Sequence, residues 1–495
     1  MIMKIILLFV FFQMGLISFS QIIELDHSKV GQREPFITIA DDEQGGFVEV
    51  NVSEINHVFQ NGEIKNYKWK DLGIKMEVKM DLSFDPEFIL KNERGYIIIV
   101  KYYNTKEKQY EVHKCSFDSD FKLISDDVVW SEKEKNFNYW VVKKSSNDRF
   151  FIVSKMEIVN TDFKISYDIF DKELSKIKSG NILMIKPENI NPQSNSSANN
   201  PEGMLRSIDL LEEGDPIINF FGRLYLLGQN DVIPFDLELE QEITSYKICQ
   251  DKDKKMVLIG SYQENPKTAQ KRTGMALIRF NEDLTVNSQS YELLPEEFDI
   301  SADDLYAKSK NKNSEQRVNK AHGYLLSAAI SEDGSVRAVY FGSTFDKDWS
   351  FNNPIMPPLQ NLCIVQLNKS DEFTNKIVIP ITLNTADGLK AIHGKNHTII
   401  ASEDYQCNYN EMHNFEPNLE RDKKTTLGFD KQLVIIDVDH LNNSSTRKVV
   451  VAKNDQDKLP NGFYVNYCVS NEPKFLLAGC YIREKIVKFT WFSAE

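Results

Sequence analysis

TSYKICQDKDKKMVLIGSY, residues 244–262, is an apolar strand, a polar turn and a second apolar strand. It returns as YVNYCVSNEPKFLLAGCY at 464–481, with Cys468 and Gly479 spaced as Cys249 and Gly260 are. A unit of this size cannot cover both faces of its own sheet, so repetition implies an all-β array in which neighbouring units bury one another.

Taking the second strand of each hairpin as anchor, the units run through 96–102, 150–156, 224–228, 256–262, 336–343, 398–402 and 475–481. These runs are rich in Ile, Val, Leu, Phe and Tyr with little polar alternation, the pattern of strands covered on both faces. Polar clusters at 146–149, 251–255, 332–335, 394–396 and 471–474 precede several of them and supply tight-turn conformations. A third strand ends alike at 116–121, 170–174, 235–239, 280–284 and 367–373, in an apolar residue, Asp, Asn or Glu, then an apolar residue. That ending reads as a hairpin into a fourth, outer strand.

Four antiparallel strands per unit, arranged around a ring, resemble a β-propeller across nearly all of residues 21–495. The resemblance is one of pattern. The Trp-Asp endings of WD-repeat blades are missing, SEDGS at 331–335 is only loosely like other propeller turns, and no sialidase-type Asp box is complete. The resemblance implies a single propeller of seven four-stranded blades, or eight if 36–80, with apolar runs at 47–52, 64–69 and 74–80, forms an additional N-terminal blade. Residues 485–492 read as a third strand with no fourth after it, so a strand near the N-terminus, 22–25 or 36–40, is expected to close the last blade and cover its edge. Two β-sandwich domains are the alternative architecture. Only 295–310 has the pattern of a helical turn or two.

Lys4, the apolar run 5–12, and Ser18 and Ser20 flanking Phe19 lay out a secretory signal over 1–20, with the mature chain starting at Gln21. The run is shorter than the roughly 20 residues of a spanning helix, Gln13 interrupts it, and no Cys lies near the cleavage point for lipid anchoring. A periplasmic or extracellular protein, monomeric and with no transmembrane segment in its mature chain, is expected. The short signal ending in Ser-Gln and the abundant Lys, Asn, Ile and Phe resemble exported proteins of Bacteroidota-type bacteria, a likeness that transfers no activity. With 73 acidic and 59 basic residues the formal charge is −14, which repels polyanions and argues against nucleic acid as a partner. Cys115, Cys249, Cys363, Cys468 and Cys480 sit in apolar strand patterns and read as buried thiols. The candidate bridge is Cys468 with Cys480, although a turn over 471–474 places Cys468 opposite about Leu477.

The long insertions at 262–273, 344–361 and 404–430 join second to third strands, and those at 181–216 and 294–323 join blades. Both connection classes emerge on one face of a ring, which marks that face for binding. The stretches 191–202, rich in Asn, Ser and Pro, and 308–320, highly charged, read as solvated spacers. Within 344–361, Asp346, Asp348, Trp349 and Phe351 combine an apolar ring with acids, a way to hold a sugar; the rings equally suit pinning the loop to its blade. Within 403–430, Glu403, Asp404, Tyr405, Cys407, Tyr409, Glu411 and His413 lie close together, but Cys407 and His413 match no zinc spacing, and no metal or cofactor is expected. Asp346 with Asp404 is the carboxylate couple that a hydrolase would need. His113 and His397 read as strand packing residues, while His322 and His393 border turns. The ligand candidates are therefore Asp346, Asp348, Trp349, Asp404, Tyr405 and His413. The function they suit is non-catalytic binding or scaffolding, with a glycan or an envelope protein as partner. A carbohydrate hydrolase or lyase using loop carboxylates is the alternative, and a purely structural envelope module a third reading.

Overall fold

The computed structural model describes residues 23–26 and 38–493 except 77–83, 134–138, 146–148, 161, 174, 186–207, 221–222, 238, 242, 252, 265–271, 300–321, 332, 344–358, 383–388, 395, 406–430, 452–462, 470–473 and 482–485. Among these, eight four-stranded antiparallel sheets follow one another along the chain. They comprise 38–68, 84–133, 139–184, 209–234, 243–293, 322–382 and 389–451, and an eighth in which three strands of 463–493 are completed by Ile23–Asp26. Each of the seven anchor runs lies in its own sheet, and the N-terminal segment supplies the additional blade.

The inner strand of the first sheet touches those of the second and the eighth, and the inner strands of the fifth to eighth sheets touch in succession. Shared apolar clusters join the second blade to the third, the third to the fourth and the fourth to the fifth. The ring therefore closes as a β-propeller. Its seal is the pairing of Ile23 with Phe489 through Asp26 with Ile486, so the fourth strand of the last blade comes from the other end of the chain.

Why the second strands are so apolar is visible in their partition. On Gly95–Asn104, Ile98, Val100 and Tyr102 pack with the first blade, while Ile97 and Ile99 pack with the third. On Met256–Glu264, Met256 and Leu258 face the fourth blade and Val257 and Ile259 the sixth. Period-two side-chain alternation thus serves two cores at once. The outer strand Leu123–Lys133, by contrast, contains no buried residue.

The quoted repeat is reproduced in register. Cys249 pairs with Val257 as Cys468 pairs with Leu476, and Gly260 pairs with Tyr246 as Gly479 pairs with Val465. A Cβ on Gly260 would sit 2.8 Å from Ile243 Cγ2 and 2.9 Å from the Ser245 carbonyl oxygen, which explains the glycine. Cys480 pairs with Tyr464, so the backbone register does not bring Cys468 and Cys480 opposite each other. Cys115 and Cys363 are buried free thiols, and burial pushes Cys363 up to about 12.

One assignment changes. Residues 224–228 belong to the third strand of the fourth blade, Arg223–Leu227, and its second strand is Pro216–Phe220. Likewise 235–239 follows that blade's fourth strand, Val232–Pro234. Second and third strands are both covered on both faces, so an apolar run alone does not distinguish them.

The tight turns share a chemistry. Asp118, Asp251 and Asn368 each open a five-residue turn in which the side-chain Oδ1 accepts the backbone N–H groups two and four positions on. Phe121, Lys254 and Asp371, at the fourth position, have φ between 60° and 63°. This is the type I turn with a left-handed bulge residue that suits the twist of a hairpin.

If Ile23–Asp26 seals the ring, a chain starting at residue 27 exposes the edge of Ile486–Ser493. It should melt several degrees lower than the longer chain and self-associate on size-exclusion chromatography. An unchanged melting temperature and elution volume would show that the strand contributes no closure.

Candidate functional site

The strand order fixes which connections share a face. Second-to-third connections after Glu264, Ser343 and Tyr405, and blade-to-blade connections after Met184 and Leu293, all leave the same end of their blades. The five-residue turns lie at the opposite end. This asymmetry agrees with the loop classes read from the sequence.

Of the six ligand candidates, Asp346, Asp348, Trp349 and His413 fall outside the described residues. Tyr405 is the last residue of the strand His397–Tyr405, so it and Asp404 belong to that strand and not to the insertion read from 404. Asp404, on the same strand, is 2 % exposed and lies 3.6 Å from Arg447 Nη1. Arg447 also donates to the Pro380 carbonyl of the preceding blade, so Asp404 belongs to a buried polar tie at the base of the loop. The couple of Asp346 with Asp404 lies outside the described residues, as Asp346 does.

Sequence reading missed the seam between the second and third blades, where an ionic and aromatic layer overlies the apolar core. Lys101 continues the row of Ile97 and Ile99, and its Nζ lies 5.1 Å from the Trp140 ring centroid. It pairs with Glu87 and, at 3.9 Å, with Asp85. Burial raises both carboxyl pKa values above the ordinary range, with Lys101 opposing it. Trp130, from the outer strand of the second blade, stacks on Trp140 at 5.4 Å and 12°. Lys155 donates across the seam to Glu132 at 2.6 Å and along its own strand to Glu157 at 3.0 Å. Burial opposes its charge, but these two bonds hold its pKa above the ordinary value. Next to Trp130 lies a shallow cleft of about 390 Å³ on the outer rim. The signal available in the sequence was Trp130 and Trp140, each within three residues of a charged side chain.

Two histidine clusters behave differently. His113 Nδ1 and Nε2 each lie 2.7 Å from a carboxylate oxygen, of Asp126 and Glu111 respectively. Asp126 also accepts the Lys75 N–H, tying the outer strand to the connection before this blade. Burial would lower the His113 pKa, but the hydrogen bonds to Asp126 and Glu111 raise it above the ordinary value. His393 bridges blades instead, with Nε2 3.1 Å from Ser327 Oγ and Nδ1 3.2 Å from Thr398 Oγ1. Burial, with Lys247 and Arg337 nearby, pushes it down to about 3, so it is a neutral packing residue. Among the described residues no group of three or more His, Cys, Asp and Glu is placed to hold a metal ion, and no helix is long and apolar enough to cross a membrane.

The His113 cluster sets a pH dependence. The raised histidine contributes stability that is fully present below its unfolded pKa of about 6.5 and is lost as pH rises through the higher folded value. Asp126 and Glu111 are depressed by the same contacts against burial, and their contribution is present above about pH 4–4.5 and lost as pH falls through the folded values. His113→Gln should therefore cost about 1–3 kcal/mol near pH 5.5–6 and less at pH 9. Urea titrations of both proteins at the two pH values check this; an equal cost at both would mean that the imidazole is not charged in the fold.

No family model matches the chain, and no curated protein matches it. Among solved structures, it is similar to the WD40 domain of SCAP from fission yeast, at 7% identity and TM-score 0.39, covering 96% of this chain and 98% of that one. It is similar to the β-propeller domain of the Trilobed protease from Pyrococcus furiosus, at 13% identity and TM-score 0.35, covering 81% and 93%. A prolyl endopeptidase aligns at 11% identity and TM-score 0.38 over 90% of this chain, which spans about half, 54%, of that protein's length.

Proposed function

We propose that this chain is an exported, non-catalytic binding or scaffold protein that uses the loop-rich face of its propeller to engage a glycan or an envelope protein. The observation that carries the reading is the one-sidedness of the connections: every long one leaves the end opposite the five-residue turns. A ring of blades held rigid by shared cores is a scaffold on which loops of one face can vary independently of the fold. Asp346, Asp348, Trp349, Tyr405 and His413 are the side chains assigned to ligand contact, with Asp404 supporting the loop that begins beside it. The buried Asp404, facing Arg447, lacks the solvent access a hydrolytic carboxylate needs, which favours binding over hydrolysis. The signal-like residues 1–20 and the Bacteroidota-type make-up support export.

Replacing 406–430 by a short Gly-Ser linker tests the assignment. Retention of envelope extract or glycan-array ligands by immobilised protein should fall about tenfold or more, with the melting temperature within a degree or two of the parent. Undiminished retention by a folded variant overturns the reading.

A further inference from the structure

We propose that the cleft on the outer rim of the third blade is a saccharide-binding site, with a short neutral sugar stacked on Trp130. It shares no residue with those assigned to ligand contact on the loop-rich face and stands on its own geometry.

Trp140 is used on two sides, by Trp130 at 5.4 Å and by Lys101 at 5.1 Å. Trp130 is half-buried by its stack on Trp140, and it, not Trp140, lines the cleft. An indole braced by a stacked neighbour and lining a cleft is a rigid apolar platform, the element that a pyranose ring needs for its C–H face. The platform costs little to order because the stack and the strand Leu123–Lys133 already fix it.

Around the platform the cleft offers hydrogen-bonding groups of both polarities: Ser166, Ser179 and Asn181, with Lys164 as donor and Asp168 as acceptor. Its volume of about 390 Å³ falls in the range of roughly 300–1,000 Å³ for small-molecule sites. The charges on its walls are each met by an opposite charge beside the cleft: Lys155 by Glu132 and Glu157, Lys164 by Glu157 at 3.7 Å, and Asp168 by Lys176 at 3.3 Å. Such walls leave no net field to select an ion and favour a neutral, hydroxyl-rich ligand. Gly180 shapes the floor. A Cβ there would meet the Tyr167 ring at 2.3 Å, and that ring is fixed by its hydroxyl, which donates to the Gly228 carbonyl at 2.7 Å. An added peptide strand fits less well, because the Asn181 N–H of the outer strand already donates to the Gln229 carbonyl at 2.9 Å.

The test titrates the full chain with tetrasaccharides of glucose, mannose, xylose and N-acetylglucosamine, followed by calorimetry and tryptophan fluorescence. At least one should bind saturably and change the indole emission. Trp130→Ala should weaken it about tenfold or more. Ser179→Tyr, at an exposed position on the cleft wall, should do the same without loss of melting temperature, which keeps the test valid if Trp130→Ala unfolds the seam. The variant lacking 406–430 should retain this affinity in full, separating this site from the loop-rich face. The absence of saturable binding by all four sugars, or binding that survives Ser179→Tyr, overturns the proposal.

Discussion

Everything in this structure depends on the double burial of the second strands. A strand such as Met256–Glu264 sends one row of side chains into the core shared with the blade before it and the other into the core shared with the blade after it. No blade owns a core, so each is stable only between neighbours, as nearest-neighbour coupling in repeat architectures requires. In a closed ring that requirement extends to the last interface, where three strands are completed by a fourth from the far end of the chain.

The same packing rule explains where polar chemistry can gather. The seam between the second and third blades changes character within a few residues along Gly95–Asn104, from Ile97 and Ile99 in the core to Lys101 against the Trp140 ring, with Trp130 at the cleft. Lys155 is held across it by a carboxylate from each blade, Glu132 and Glu157, so the polar layer also fixes how the two blades meet. Such an arrangement suits recognition: its charges are spent on one another, and its ring surface is what remains to offer.

Much of the fold was legible because it is written in local rules. Alternation, apolar runs and Asx-type turns act over fewer than about ten residues, so Asp251–Lys255 as a turn and Met256 onward as a strand follow from neighbours alone. Strand identity was less secure where blades are short: the run at 224–228 carries the apolar content of either middle strand, and only pairing with Pro216–Phe220 and Val232–Pro234 makes it the third. The seam was illegible for a different reason. Trp130 and Trp140 are neighbours through blade packing, and Lys101 reaches Trp140 from the second strand of the neighbouring blade, a juxtaposition that no spacing in the sequence encodes. Asp404 shows the reverse failure: loop-like in composition, it is inside a strand because Arg447 gives its charge a partner there.

The seal between Ile23–Asp26 and Ile486–Ser493 has a temporal side. On a chain made and delivered from its N-terminus, the strand that completes the ring emerges first and its partner last. Until that partner arrives, the early strand has no sheet to join and the growing array carries an open end. Ring closure is thus the contact of greatest sequence separation in the fold and the one whose loop entropy must be met before any reward. A nascent chain of this design would spend its synthesis as a row of blades with one unsatisfied end, and the conversion of row to ring would be its slow step and its moment of greatest exposure to misassembly with a second copy.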